Sequence, residues 1–274
     1  MIVAVDTGGT KTLITSFNKK GVMGEQVKFP TPKNTGDYIK TLRHTLREMF
    51  IGKPVEAIVV AAPGVIKDGS TFVFGGNLAW RNFNIKAELS GVLPKVPVFV
   101  ENDANLAGLG ETRMLKTVPP QSLYVTISTG IGTGITTYGH INQALRNSEA
   151  GHALIEFDGL VREWESFASG KAIYETYGQY AHDIKSKRIW DQVADRISRG
   201  FLAVVPILQP DLIIIGGSIG TYFDNYSKHL QDLLKEKLPS HIPCPKFVQA
   251  KYPELAVIYG CYYYALDSFA GKTS

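Results

Sequence analysis

Ile2-Val3-Ala4-Val5-Asp6-Thr7-Gly8-Gly9-Thr10-Lys11-Thr12-Leu13-Ile14-Thr15-Ser16-Phe17 sets an apolar run, a glycine-centred polar turn and a second apolar, β-branched run in sequence. That order predicts a β-hairpin with strands over residues 2–5 and 13–17 and a further turn at 18–21. Two adjacent glycines let backbone N–H groups converge on phosphate oxygens with no side chain intervening. Asp6, at the strand end, could hold a magnesium ion directly or through water. The stretch is not a Walker loop, because the spacing to Lys11 is wrong and a strand follows where that loop requires a helix. Taken alone, an ordinary hairpin turn explains the glycine pair equally well.

The second half repeats the opening. An apolar strand over residues 123–127 leads into Ser128-Thr129-Gly130-Ile131-Gly132-Thr133-Gly134, and a strand follows over 135–138. Two strand, glycine-turn, strand units imply a duplicated architecture whose turns could grip one polyphosphate. A flexible loop would explain the second turn by itself. Ile213-Ile214-Ile215-Gly216-Gly217-Ser218 is a third junction of strand and glycine, where adenine or ribose could lie against bare backbone, although buried strands often end in glycine.

Between these units, residues 35–50 carry apolar side chains at Tyr38, Ile39, Leu42, Leu46, Met49 and Phe50, the spacing of an amphipathic helix closed by Gly52. Residues 57–61 and 96–100 read as buried strands. The second of these runs into Glu101-Asn102-Asp103-Ala104-Asn105, four polar groups at a strand end. They suit a ligand, and Asn102 or Asp103 also suits an N-cap. Further helices are expected near 169–177, 190–208 (stopped by Pro210), 222–238 and 254–269, with a buried strand at 211–215.

Bulk composition excludes several classes of function. With 29 basic and 25 acidic residues, net +4, and Lys185-Ser186-Lys187-Arg188 as the longest basic cluster, the chain lacks a nucleic-acid footprint. The two cysteines, Cys244 and Cys261, form neither a disulfide framework nor a cysteine zinc site. Apolar runs are too short to span a bilayer, and the N-terminus reads as a strand rather than a signal peptide, so a cytoplasmic location without membrane contact is expected.

Asp6-Thr-Gly-Gly-Thr-Lys11, Glu101-Asn-Asp-Ala-Asn105, Ser128-Thr-Gly-Ile-Gly132, Glu149-Ala-Gly-His152 and Ile215-Gly-Gly217 together closely resemble the ROK (repressor, open reading frame, kinase) family, in order and spacing along essentially the whole chain. The resemblance implies an α/β chain with the two-lobed, duplicated ribonuclease H-like fold of the actin-like ATPases. The lobes would be residues 1–108 with 258–274, and residues 109–257. No helix-turn-helix precedes Ile2, which looks like the kinase branch and unlike the repressors.

By that resemblance the chain is an ATP- and magnesium-dependent kinase of a hexose or N-acetylated hexosamine, with glucose the first expectation and a homodimer as the assembly. A non-catalytic sugar sensor and a polyphosphate-using kinase are the alternatives. Asp103 would be the base for the attacking hydroxyl. Asn77, Asn102, Glu149, His152 and Glu165 would contact sugar hydroxyls. Gly8, Gly9, Thr10, Lys11, Thr129, Gly130, Gly132, Gly216 and Gly217 would hold the nucleotide, and Asp6 the magnesium. Where many relatives carry three zinc-binding cysteines, residues 153–164 have none, so no cysteine zinc site is expected, and Phe157 and Trp164 could pack the His152 loop instead.

Overall fold

The computed structural model describes residues 1–75 and 78–271; Gly76, Asn77 and residues 272–274 lie outside the described residues. The chain divides into two compact units, Met1–Gly110 with Leu255–Ser274, and Glu111–Glu254.

The first unit is built on a sheet of β1 (Ile2–Thr7), β2 (Lys11–Phe17), β3 (Val27–Pro30), β4 (Ala57–Ala62) and, after three short strands β5 (Val65–Lys67), β6 (Thr71–Phe74) and β7 (Phe83–Asn84), β8 (Val98–Asn102), in the order β3-β2-β1-β4-β8. The opening hairpin is formed as expected, with Thr7 opposite Thr12 across a tight turn. β1, β4 and β8 run parallel, and both faces are covered, so β4 reads as an uninterrupted apolar run.

Helix α1 (Thr35–Phe50) starts where Asn34 accepts the N–H groups of Gly36 and Asp37. It buries Tyr38, Ile39, Leu42, Leu46 and Phe50, the stripe legible in the sequence. The Tyr38 hydroxyl meets Thr7 Oγ1 at 2.7 Å and its ring packs 4.4 Å from Trp80, fastening the helix to the last residue of β1. A short helix α2 (Ile85–Leu89) and helix α3 (Asp103–Arg113) follow.

Glycine lets α3 meet the C-terminal helix Ala256–Phe269 backbone on backbone. A Cβ on Gly260 would stand 1.9 Å from the Leu106 carbonyl oxygen, and one on Gly110 would stand 2.2 Å from that of Ala256.

The second unit repeats the sheet. Strands β9 (Gln121–Ile127), β10 (Ile131–Thr137), β11 (His140–Ile141), β14 (Leu212–Gly216) and β15 (Lys246–Gln249) lie in the order β11-β10-β9-β14-β15. The sequence of pairings is that of the first unit: two antiparallel, then two parallel. This equivalence is the duplication that the two glycine turns implied. β12 (Leu154–Phe157) and β13 (Leu160–Glu163) form a separate hairpin.

Around the second sheet lie α4 (Glu165–Ala168), α5 (Gly170–Tyr177), α6 (Lys187–Leu208), α7 (Gly217–Gly220) and α8 (Phe223–Lys237). The hydrophobic core of this unit runs through Ile127, Trp164, Phe201, Ile215 and Tyr226. α6 carries Pro206 in its last turn and ends at Gln209 in the left-handed conformation (φ 43°), one residue before the proline expected to stop it.

One glycine contact gives a test with opposing terms. Replacing a mid-helix glycine by alanine gains about 1 kcal/mol of helix propensity, whereas forcing a methyl into a packed interface costs about 1–3 kcal/mol and sometimes more. With 1.9 Å available at Gly260, the steric term dominates. Gly260→Ala is expected to lower the unfolding free energy by about 1–2 kcal/mol in urea titration, the difference of the two terms at the severe end of the steric cost; a gain would show that the two helices do not touch there.

Candidate active-site residues

Parallel strands align their carboxyl ends, and in the first unit that alignment gathers the acidic groups. Asp6 pairs in register with Ala61, and Ala61 with Glu101, so Asp6 and the Glu101–Asp103 segment occupy one end of the sheet. Asp6 is pushed up to about 7 by burial, then by the charge of Asp103, with Lys11 opposing. Burial also raises Asp103, to about 6, against the pull of hydrogen bonds from backbone N–H groups, including that of Ala104 to Oδ1 at 2.8 Å. Two carboxyls that repel each other at the mouth of a sheet form an oxygen donor set suited to a hard dication.

Asn102 serves the fold directly. Its Oδ1 accepts the Asn105 N–H at 2.9 Å, capping α3, and its Nδ2 donates to the Gly64 carbonyl at 2.8 Å. Glu101 is buried, where its Oε1 accepts from Asn102 N and Asn105 Nδ2. In the first glycine turn, Gly8 donates to the Lys11 carbonyl at 3.0 Å, while Gly9, Thr10 and Lys11 are exposed. Asn77 lies outside the described residues.

In the second unit the glycine turn is shorter than its sequence suggests. It consists of Ser128, Thr129 and Gly130, because β10 begins at Ile131. Gly132 is therefore a strand residue paired with Thr126, and its alternation with Ile131, Thr133 and Ile135 is that of a strand. Thr133 is buried, its hydroxyl donating to the Ser148 carbonyl and accepting the Ala150 N–H.

Glu165 reaches this turn. Its Oε2 accepts the Ile131 N–H at 3.0 Å and lies where a Cβ on Gly130 would have to be, 2.6 Å away. His152, Glu163 and Glu165 each bring a ligand atom within 4.8 Å of the others, a group that could hold a metal ion. Burial pulls the proton affinity of His152 down, but its hydrogen bond to Glu163 and the charges of Glu165, Glu163 and Glu149 outweigh it, leaving the pKa raised.

Gly216 and Gly217 close β14. A Cβ on Gly216 would stand 2.3 Å from the Tyr124 hydroxyl, and Gly217 has φ 78°. Beside them is a pocket of about 460 Å³ lined by Thr129, Gly170, Lys171, Tyr174, Tyr180 and Ser218. Tyr180 stacks on Tyr174 at 4.3 Å and on His182 at 5.7 Å. Sequence reading missed these aromatics. Gly178, left-handed at φ 65°, folds the chain back so that Tyr180 returns to Tyr174, and no periodicity signals that return.

The hairpin β12–β13 occupies the cysteine-free stretch. Phe157 stacks on Phe167 at 4.4 Å with Arg162 and Arg196 over its ring, and Trp164 is fully buried. Among the described residues no helix is long and apolar enough to cross a membrane.

The ROK family profile matches residues 2–268. A glucokinase of Streptomyces coelicolor is 29% identical over 195 residues, covering 66% of this chain and 60% of that one. A fructokinase of Pediococcus pentosaceus is 23% identical over 260 residues, 88% of this chain and 86% of its own. The crystal structure of a ROK family glucokinase from Streptomyces griseus in complex with glucose and AMPPNP superposes with a TM-score of 0.77 at 22% identity, covering 95% of this chain and 97% of that one. The chain belongs to the ROK family. Its fold is the actin-like ATPase fold of the ROK sugar kinases.

The carboxyl pair has a measurable consequence. Folded Asp6 and Asp103 keep protons up to about 7 and about 6, whereas unfolded aspartates lose theirs near pH 4. The folded state therefore binds more protons across that window, and stability falls as pH rises through it. Carboxyl ¹³C titration is expected to place both groups between pH 5.5 and 7.5, roughly two to three units above ordinary aspartate; midpoints near 4 would remove the claim.

Proposed function

We propose that the chain transfers the γ-phosphoryl group of ATP to a hydroxyl of a hexose or N-acetylated hexosamine, glucose being the first sugar to test. The observation that carries this reading is Asp103. Its carboxyl stands at the carboxyl end of a parallel strand with its proton affinity raised to about 6, close to that of an efficient general base at neutral pH. Phosphoryl transfer needs modest basicity and strict positioning. A chain that had kept the fold only to sense sugar would gain nothing from a carboxyl held in that state.

In this reading Asp103 takes the proton of the attacking hydroxyl. Glu165, Glu149 and His152 accept or donate to the remaining hydroxyls, joined by Asn77 and by the second Nδ2–H of Asn102, which the two structural bonds of its side chain leave over. Gly8, Gly9, Thr10, Lys11, Thr129 and Gly130 line the phosphates. The pocket beside Gly216 and Gly217 takes the nucleoside, with Tyr180 and Tyr174 as a stacking wall. Gly132, a strand residue, supports the turn from behind. Asp6 would hold magnesium, which when bound neutralises phosphate charge.

Two substitutions test the roles. Asp103→Asn is nearly isosteric but cannot take a proton, so kcat is expected to fall by about 10²–10⁴ with no loss of melting temperature at pH 8; near-normal turnover would remove Asp103 from the mechanism. In Glu165→Gln the amide oxygen can still accept the Ile131 N–H, which leaves an NH₂ where the sugar needs an acceptor. Sugar KM is expected to rise about tenfold or more with ATP KM little changed. A rise confined to ATP KM would place Glu165 in the other subsite.

A further inference from the structure

Glu163 received no role from the sequence. Its Oε2 lies 3.3 Å from His152 Nδ1. We infer that Glu163 is a positioning residue that accepts the Nδ1–H of His152 and so fixes the tautomer and plane of the ring, presenting Nε2 to a sugar hydroxyl.

The backbone brings the two residues together from both sides. His152 ends a single 3-10 turn, Ala150–His152, in which its N–H donates to the Glu149 carbonyl at 3.0 Å. Gly151 presses that turn onto β10, since a Cβ there would stand 2.0 Å from the Ile131 carbonyl oxygen. Across the hairpin, Leu154 is the register partner of Glu163, and the Trp164 N–H donates to the Ala153 carbonyl at 2.9 Å. The residues after each partner are thus bonded to each other, and Trp164 is fully buried. Both side chains start from fixed backbone.

The pair is not there for stability. The side chains are 42% and 48% exposed, and ion pairs that exposed contribute little to folding. A neutral imidazole has one N–H, and the partner of one nitrogen decides what the other can offer. With Nδ1–H held by Glu163, Nε2 accepts a hydrogen bond when the ring is neutral and donates when it is protonated. Glu149 and Glu165 flank the ring as further negative charges, which favour the protonated form.

The sugar-facing consequence rests on the kinase reading; the tautomer does not. The test uses the full-length protein labelled with ¹⁵N, free of sugar and nucleotide. Long-range ¹H–¹⁵N spectra of His152 are recorded for wild type, Glu163→Gln and Glu163→Leu, with His152→Gln supplying the assignment. Wild type is expected to show Nδ1 protonated, the Gln variant to keep that state in part through its amide oxygen, and the Leu variant to adopt the Nε2–H tautomer that free histidine favours.

In kinetics Glu163→Leu is expected to raise sugar KM about tenfold, with kcat, ATP KM and melting temperature little changed and Gln intermediate. One tautomer shared by all three proteins overturns the inference. So does stoichiometric zinc on purified wild type that shifts the Nδ1 resonance and is lost in Glu163→Leu, because the metal would then be the orienting group. If wild type phosphorylates no sugar while the tautomers follow the expected order, the kinase reading fails and the positioning of His152 stands.

Discussion

Backbone against backbone at one turn is the constraint on which the second unit depends. Three segments far apart in sequence arrive at residues 127–131 with no room for a side chain. Gly151 faces the Ile131 carbonyl oxygen at 2.0 Å and Gly217 that of Ile127 at 2.5 Å, measured to the Cβ each lacks, while Gly170 donates its N–H to the Ser128 carbonyl at 2.6 Å. A methyl at any of the three would push its segment off the turn. Each glycine sits beside a candidate functional residue: His152 follows Gly151, Ser218 follows Gly217, and Gly170 opens the helix that follows the short one begun by Glu165. Glycines that resemble ligand-contacting motifs are in the first place packing requirements, and the ligand geometry follows from the packing.

The first unit solves the same problem with hydroxyls. Its sheet has the same order of antiparallel and parallel pairings, and its turn occupies the equivalent place, but it is tied by Thr31. The Thr31 hydroxyl meets Thr12 Oγ1 at 2.9 Å and donates to the Gly8 carbonyl at 2.8 Å, while its N–H donates to the Thr10 carbonyl. Thr7 is held from the other side by Tyr38. Hydroxyl ties leave Gly9, Thr10 and Lys11 exposed, whereas in the second unit Thr129 is the exposed residue of its turn. The two halves share a topology and differ in what each turn can present.

What could be read from the sequence was what local physics decides. The hairpin of residues 2–17, the stripe of α1 and the strand leading into Glu101 follow from periodicity and turn chemistry, and they came out within a residue or two. The extent of the second turn did not, because Gly132 and Gly134 carry the composition of a loop while the pairing with Thr126 and Tyr124 makes them strand. Glu163 and Tyr180 were invisible for a different reason: each acquires its neighbour only through a reversal of the chain, at Asp158-Gly159 and at Gly178. The cap at Asn102 was foreseen as one of two readings of that segment.

That cap bears on Asp103. A carboxylate at the start of a helix is ordinarily explained by the helix, since it bonds free N–H groups and meets the positive end of the dipole. Here Asn102 already supplies the i to i+3 bond, by its contact with the Asn105 N–H, and Asp103 is left with its own N–H and that of its neighbour, Ala104. Burial outweighs those bonds and raises the carboxyl to about 6, so at neutral pH the folded protein carries an ionised group that its surroundings disfavour. A fold selected for stability alone would place asparagine or serine there. Division of labour between adjacent residues, one capping and one held at an unfavourable ionisation, is the arrangement expected where a proton has to be taken up.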